Sequence, residues 1–214
     1  MTSDLATSIF TIIILILSVI MHEVAHGYAA YALGDQTAKR AGRLTLNPIP
    51  HLDLFGSIII PAVLVLSNAG ILFGWAKPVP YNPYNLRNQR WGEAIVGAAG
   101  VATNILLALI FAGITRFASI EGYTAFATLA ATVVFVNLSL GFFNLIPIPP
   151  LDGYTVLRGI LPSKASMAFR DFDARIRSGG IITLVVILLL FSFFLSGPFY
   201  ALIEWIFNIL VGVT

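Results

Sequence analysis

Apolar residues in this chain run in long unbroken stretches. Between Asp4 and Asp35 the only strongly ionisable side chains are His22, Glu23 and His26, and none falls within Leu54–Ala76, Ala94–Thr115, Gly122–Leu151 or Ser178–Ile203. Each stretch approaches or exceeds the ~20 residues a helix needs to cross a bilayer. A last apolar tail starts near Phe199 and continues past Glu204 to Thr214, with Gly197-Pro198 read as the break before it. The pattern predicts helices over 5–33, 92–117, 123–146, 179–196 and 199–213 within one membrane-embedded domain, 1–214. The polar connections are Gly34–Asp53, Lys77–Glu93 and Leu151–Arg177. The first two are rich in Pro and Asn and read as turns and extended backbone.

Composition narrows the function classes. Of 214 residues 58% are hydrophobic and only 10% charged, against roughly 25% charged in a soluble domain. So few charges cannot solvate so much apolar mass, which excludes a soluble globular protein, a disordered chain and a nucleic-acid-binding module. A formal net charge of +2 suggests no polyanionic partner, and the absence of cysteine excludes disulfides, thiolate metal sites and a cysteine nucleophile. The N-terminal run has no basic segment before it and no small-residue cleavage site after it, so it is expected to be a membrane helix rather than a cleaved signal.

The chemistry concentrates in two places. The segment His22-Glu23-Val24-Ala25-His26 holds two of the three histidines. On a helix, positions i and i+4 share a face, so both imidazoles can reach one metal ion while Glu23 lies beside them, placed to accept a proton from water. Each ionisable group inside a membrane helix costs ~2.5 kcal/mol or more, and a divalent cation offsets that cost for a cluster. A catalytic zinc takes three protein ligands, and the metzincin spacing fails, because its glycine and third histidine fall at Ala29 and Ala32. His51, Asp53, Asp152 and the remaining acids are the candidates. Asp152 follows a long uncharged run and lies in Asn144-Leu-Ile-Pro-Ile-Pro-Pro-Leu-Asp152-Gly153, where three prolines break any helix. It reads equally as the cap of a new helix or as a metal ligand.

The two segments together resemble the site-2 protease family of intramembrane zinc metalloproteases, in its compact bacterial branch. The resemblance runs from His22-Glu-Val-Ala-His26 through Asn144…Pro-Leu-Asp152-Gly153. It implies an all-α integral membrane protein: a polytopic helical bundle with a re-entrant or membrane-associated segment and a short extended or hairpin element. It further implies one zinc ion bound by His22, His26 and Asp152, Glu23 as catalytic acid/base, and Asn144 as the residue holding substrate near the metal. Gly74-Trp-Ala-Lys-Pro-Val-Pro80 looks like the family's extended segment along the substrate entry. His51 and Asp53, in Asn47-Pro48…His51-Leu-Asp53, are expected near the site without being permanent ligands. Gly100-Val-Ala-Thr-Asn104 stands where many relatives have Gly-Pro, a departure that touches helix packing. The implied activity is hydrolysis of a peptide bond in or near the transmembrane helix of a membrane-protein substrate, and the implied partners are that substrate and the lipid bilayer. The competing class is a transporter that carries a metal ion or protons through the same His-Glu-His cluster.

Topology follows from requiring both motifs to meet at one depth. The first segment and Gly122–Leu151 must run in the same direction, so an even number of crossings separates them. Residues 54–73 are then expected to re-enter rather than cross, aided by Pro61 and Asn68-Ala69-Gly70. This gives five crossings with the N-terminus outside, the C-terminus cytoplasmic and the active site nearer the cytoplasmic face of a bacterial plasma membrane, with Arg116 alone on the outer side. Asn137 and Asn208 are expected to hydrogen-bond between helices. Trp75, Trp91 and Trp205 read as interface anchors, and Arg170–Arg177 as a solvated face.

Overall fold

A computed structural model describes residues 2–66 and 74–212. Along them run α1 (Thr2–Ala32), α2 (Thr37–Arg40), α3 (Ile60–Leu66), α4 (Gly92–Ile120), α5 (Thr124–Asn144), α6 (Asp152–Ile160), α7 (Ser163–Ser178), α8 (Gly180–Leu190) and α9 (Ser196–Val211). Four spans are long and apolar enough to cross a membrane: Ala6–Ala32, Gly92–Ile120, Thr124–Asn144 and Val185–Val211. Their outward faces carry exposed apolar side chains such as Ile9, Ile13 and Leu17 on α1 and Leu106, Leu109 and Ile110 on α4, while Asn104 and Asn137 are fully buried between helices. Lipid replaces water outside and the polar groups turn inward. The chain is an all-α polytopic membrane protein.

Direction decides what meets what. Gly122, at φ +79°, turns α4 into α5, a conformation without steric cost only for glycine. Helix α1 runs antiparallel to α4, with His22 opposite Asn104 and His26 opposite Val96. It runs parallel to α5, with Ser18 against Asn137. Helix α9 fills the outer groove of this hairpin, burying Ile203 among Ala108, Ala112, Val134 and Leu138; the small alanines allow the close approach. At the far end of α4, Arg116 donates from Nε to Leu210 O (2.7 Å) and from Nη2 to Ile209 O (2.6 Å). These bonds satisfy carbonyls that a helix C-terminus leaves open.

Two expectations change. The break at Gly197-Pro198 does not form. Helix α8 continues through a π-helical turn, Phe191–Leu195, into α9. The wide turn ends one α-helical ladder and restarts it at Ser196. Pro198 thus falls in a first turn, where its missing N–H breaks no intrahelical bond. The described residues therefore hold four spans instead of five crossings. With its last turn beside Arg116, α9 ends at the end of the bundle away from the His22–His26 turn, the end at which α1 starts. Asn208 is also exposed on α9 and makes no interhelical side-chain bond.

Of the expected re-entrant segment, Leu54–Ile59 forms a π-helical turn leading into α3, an apolar stretch shorter than a crossing. Residues 67–73 lie outside the described residues. Residues 74–82 are extended, without strand pairing among the described residues. Helix α7 is tied down on one face: Arg158 of α6 pairs with Glu93 (2.9 Å) and Asp173 (3.1 Å), and Arg170 pairs with Glu93 (2.9 Å). Only part of Arg170–Arg177 is thus a solvated face. The same network fixes α6, which opens with Asp152, against the start of α4. Gly159 there passes so close that a Cβ would lie 2.5 Å from Ala94 N.

Candidate metal centre

His22 and His26 lie on one face of α1, one turn apart, and both are buried. Their Nε2 atoms are 3.0 Å apart. Asp152 Oδ2 lies 2.8 Å from His22 Nε2 and 3.2 Å from His26 Nε2. Among the described residues these three form the cluster able to hold a metal ion. The backbone makes the meeting possible at two glycines. Gly153 passes directly against the Leu145 carbonyl, and Gly100 on α4 leaves the volume that the imidazoles occupy, since a Cβ there would lie 2.5 Å from His26 Nε2 and 2.6 Å from His22 Cε1.

The donor chemistry fits a zinc ion. His26 Nδ1 lies 2.7 Å from the Val96 carbonyl oxygen. A carbonyl only accepts, so Nδ1 carries the proton and Nε2 of the neutral ring presents a lone pair toward the centre. Asp152 Oδ2 is buried there without a conventional hydrogen-bond partner. Such a triangle of donors calls for a proton or a cation between its members. Two imidazole nitrogens and a carboxylate oxygen within 3.2 Å of one another are a donor set that would hold a zinc ion.

Glu23 Oε2 accepts the Val79 N–H of the extended segment at 2.9 Å. That segment is pinned at alternate residues, the period of extended backbone. Trp75 N–H donates to Gly56 O (3.0 Å) and Lys77 N–H to His51 O (2.8 Å). Ser57 Oγ donates to Trp75 O (2.8 Å), and Arg43 Nη2 to Lys77 O (2.6 Å). His51 is fully buried. Its Nε2 donates to Thr45 O (2.8 Å) and its Nδ1 faces Arg43 Nη2 at 3.4 Å, so both nitrogens are committed to holding the loop. Burial pushes this imidazole down, and the Arg43 guanidinium adds to that effect. Asp53 caps the π-helical turn, accepting Gly56 N–H (2.7 Å) while its own N–H donates to Ser57 Oγ (3.1 Å). Asn144 closes α5 with Nδ2 donating to Leu140 O at 3.0 Å.

Sequence reasoning named Gly100 and Asn104 only for helix packing and Val79 only as part of the extended segment, and gave none of the three a role beside the histidines. Asn104 carried a usable signal: it is a lone amide inside the uncharged Ala94–Thr115 run, one helical turn after Gly100. Val79 acts through its backbone and left no signal.

Comparison with known proteins agrees with this chemistry. The model of peptidase family M50 matches residues 116–191. The chain is 44% identical over 160 residues to YwhC of Bacillus subtilis, covering 72% of this chain and 69% of that protein. It is 30% identical over 193 residues to Rip2 of Mycolicibacterium smegmatis, covering 90% and 71%. Both are named as candidate zinc metalloproteases. Zinc metalloprotease MJ0392 of Methanocaldococcus jannaschii is 28% identical over 154 residues, covering 71% of this chain and 34% of that protein. No solved structure matches the chain. A buried pair of histidines one turn apart, closed by a distant aspartate, thus occurs in a chain whose relatives carry the zinc metalloprotease name, and the chain belongs to peptidase family M50, the site-2 protease family of zinc metalloproteases.

Proposed function

We propose that this zinc metalloprotease cleaves a peptide bond within or beside the transmembrane helix of a membrane-protein substrate, as in regulated intramembrane proteolysis, using one zinc ion held by His22, His26 and Asp152. The observation that carries the reading is the placement of the triangle: two of its corners belong to a membrane-spanning helix, and Asp152 lies within 3.2 Å of both.

Zinc in such a site supplies Lewis acidity, bringing water into the nucleophilic range near neutral pH and polarising a carbonyl. Glu23 takes the proton from the attacking water and returns it to the leaving amine. The Val79 N–H holds one carboxylate oxygen of Glu23 and leaves the other available to accept a proton. A substrate helix locks its carbonyls in i→i+4 bonds and must unwind before attack. The extended segment through Gly74–Pro80, pinned along one edge, receives the freed backbone by strand addition, and Asn144 donates to substrate near the metal.

Charge supports the orientation. Eleven of the twelve basic residues (Lys39, Arg40, Arg43, Lys77, Arg87, Arg90, Arg158, Lys164, Arg170, Arg175 and Arg177) lie in segments at the Asp152 end of the bundle, and Arg116 lies at the other. By the positive-inside rule the metal end faces the cytoplasm, in the plasma membrane of a bacterium.

The test is cleavage of a single-pass membrane protein co-reconstituted in liposomes, with wild type compared to Glu23→Gln. The variant is expected to retain zinc and lose cleavage. Undiminished cleavage removes Glu23 from the mechanism, and zinc flux across the liposome membrane without cleavage favours the transporter reading.

A further inference from the structure

The interior of the bundle holds a chain of side-chain hydrogen bonds whose polarity can be read from a fixed end. Asn137 presents an amide nitrogen 3.0 Å from the Val133 carbonyl oxygen. A carbonyl only accepts, so that end of Asn137 is Nδ2, which also reaches Ser18 Oγ at 3.0 Å. Its Oδ1 therefore faces Asn104 and accepts from Asn104 Nδ2 at 2.9 Å. Asn104 is oriented in turn, and its Oδ1 lies 2.5 Å from His22 Nδ1. An acceptor at that position requires the proton on Nδ1. A neutral imidazole has one N–H, so the lone pair falls on Nε2, the atom nearest Asp152.

We propose that Asn104 and Asn137 are positioning residues that fix the zinc-binding tautomer and ring angle of His22, with Asn137 acting at a distance through Asn104. The arrangement is asymmetric. His26 receives the same instruction from a backbone carbonyl, that of Val96, which no side-chain substitution removes. His22 depends on two amides contributed by α4 and α5, both fully buried. The relay joins the three helices α1, α4 and α5 and ties one ligand to their mutual register. The inference rests on His22, His26 and Asp152 being the zinc ligands.

Zinc affinity of the purified full chain in detergent, measured by chelator competition, tests the proposal without a substrate. Asn104→Leu keeps the branched shape but cannot accept a hydrogen bond, and zinc binding is expected to weaken ~10- to 100-fold. Asn104→Asp keeps the acceptor and is expected to stay within a few-fold of wild type. Asn137→Leu touches neither ligand and should weaken zinc in the same direction as Asn104→Leu, by less. If Asn104 served packing alone, the order would reverse: leucine would be tolerated and a buried aspartate would be the damaging change. That reversed order, or wild-type affinity in Asn104→Leu, overturns the proposal. Nitrogen-15 imidazole spectra of the zinc-loaded protein give an independent reading that survives a poorly folding leucine variant. Of three histidines, His22 and His26 should carry the proton on Nδ1 and His51 on Nε2, and any other pattern at His22 overturns the relay. Failure of wild type to bind zinc, or unchanged binding in His22→Ala, instead refutes the ligand assignment on which the relay stands.

Discussion

A single methyl group at residue 100 should separate the stability of the bundle from the competence of its metal centre. In Gly100→Ala, the added carbon would lie 2.6 Å from His22 Cε1 and from His26 Cε1, roughly 0.8 Å inside the 3.4 Å at which ordinary contact begins, and still closer to His26 Nε2. Neither ring is free to yield. His22 is held at Nδ1 by Asn104 and His26 by the Val96 carbonyl. Metal ligands tolerate displacements of ~0.2 Å. Overpacking of this kind costs about 1–3 kcal/mol, and charged to the zinc-bound geometry that is a ~5- to 150-fold loss of affinity at 1.4 kcal/mol per factor of ten. The helix itself should not suffer, because alanine exceeds glycine in helix propensity by up to about 1 kcal/mol. Gly113→Ala, on the same helix with nothing within 4 Å of the new carbon, makes the same backbone change without the clash. Zinc affinity by chelator competition and thermal unfolding in detergent should show Gly113→Ala with wild-type affinity and at least wild-type stability, and Gly100→Ala folded but weak in zinc. Equal zinc affinity for the two variants would refute the steric argument.

Three further outcomes are expected. Glu93→Gln removes the carboxylate shared by Arg158 and Arg170; with the Arg158 and Glu93 side chains 8% and 10% exposed, the loss should destabilise the fold by about 3 kcal/mol, read as a lowered unfolding midpoint. Asp35 is fully buried. Burial raises its pKa, but hydrogen bonds from Thr37, Asn85 and the Asn82 N–H overcompensate and leave it below the ordinary value. Its stabilisation is therefore present above the unfolded pKa of ~3.9 and lost as pH falls through the lower folded value. The unfolding gap between wild type and Asp35→Asn should be wide at pH 7 and close toward pH ~3, and a pH-independent gap would count against it. His51→Ala should leave zinc affinity unchanged while speeding hydrogen exchange at the Lys77 and Val79 amides, whereas His51→Gln, able to donate to Thr45 O, should restore protection; loss of zinc in either variant would make His51 a ligand.

How much of the site was legible depended on whether a role needed a side chain. The i, i+4 histidines and the flanking Glu23 declare themselves because ionisable groups in a membrane helix demand a partner. Asp152 was visible only through its setting, and the sequence alone left cap and ligand open. The fold does not use it as a cap: Asp152 is the first residue of α6, that helix has no side-chain cap, and the carboxylate Oδ2 lies beside the imidazoles instead. His51 and Asp53 show the opposite case. They have the chemistry of ligands, and the fold spends both on local hydrogen bonds of the loop that pins residues 75–79. Residue type cannot distinguish those uses, because the deciding quantity is a distance to backbone groups across a loop.

The difference in span count has another origin, and the charge asymmetry does not depend on it. Gly197-Pro198 reads as a break because proline removes a donor from the helical ladder. A π-turn immediately before it resets the ladder, and one apolar helix absorbs the defect. The turn's cause is local and its consequence global: with one fewer span among the described residues, α9 ends at the same end of the bundle at which α1 starts. No basic loop moves with it, since the only Lys or Arg at that end is Arg116, whose guanidinium caps the Ile209 and Leu210 carbonyls of α9. That cationic residue closes a helix end instead of marking a cytoplasmic loop. The positive-inside asymmetry therefore survives the change in crossing number, because it rests on the three connections that converge around Asp152.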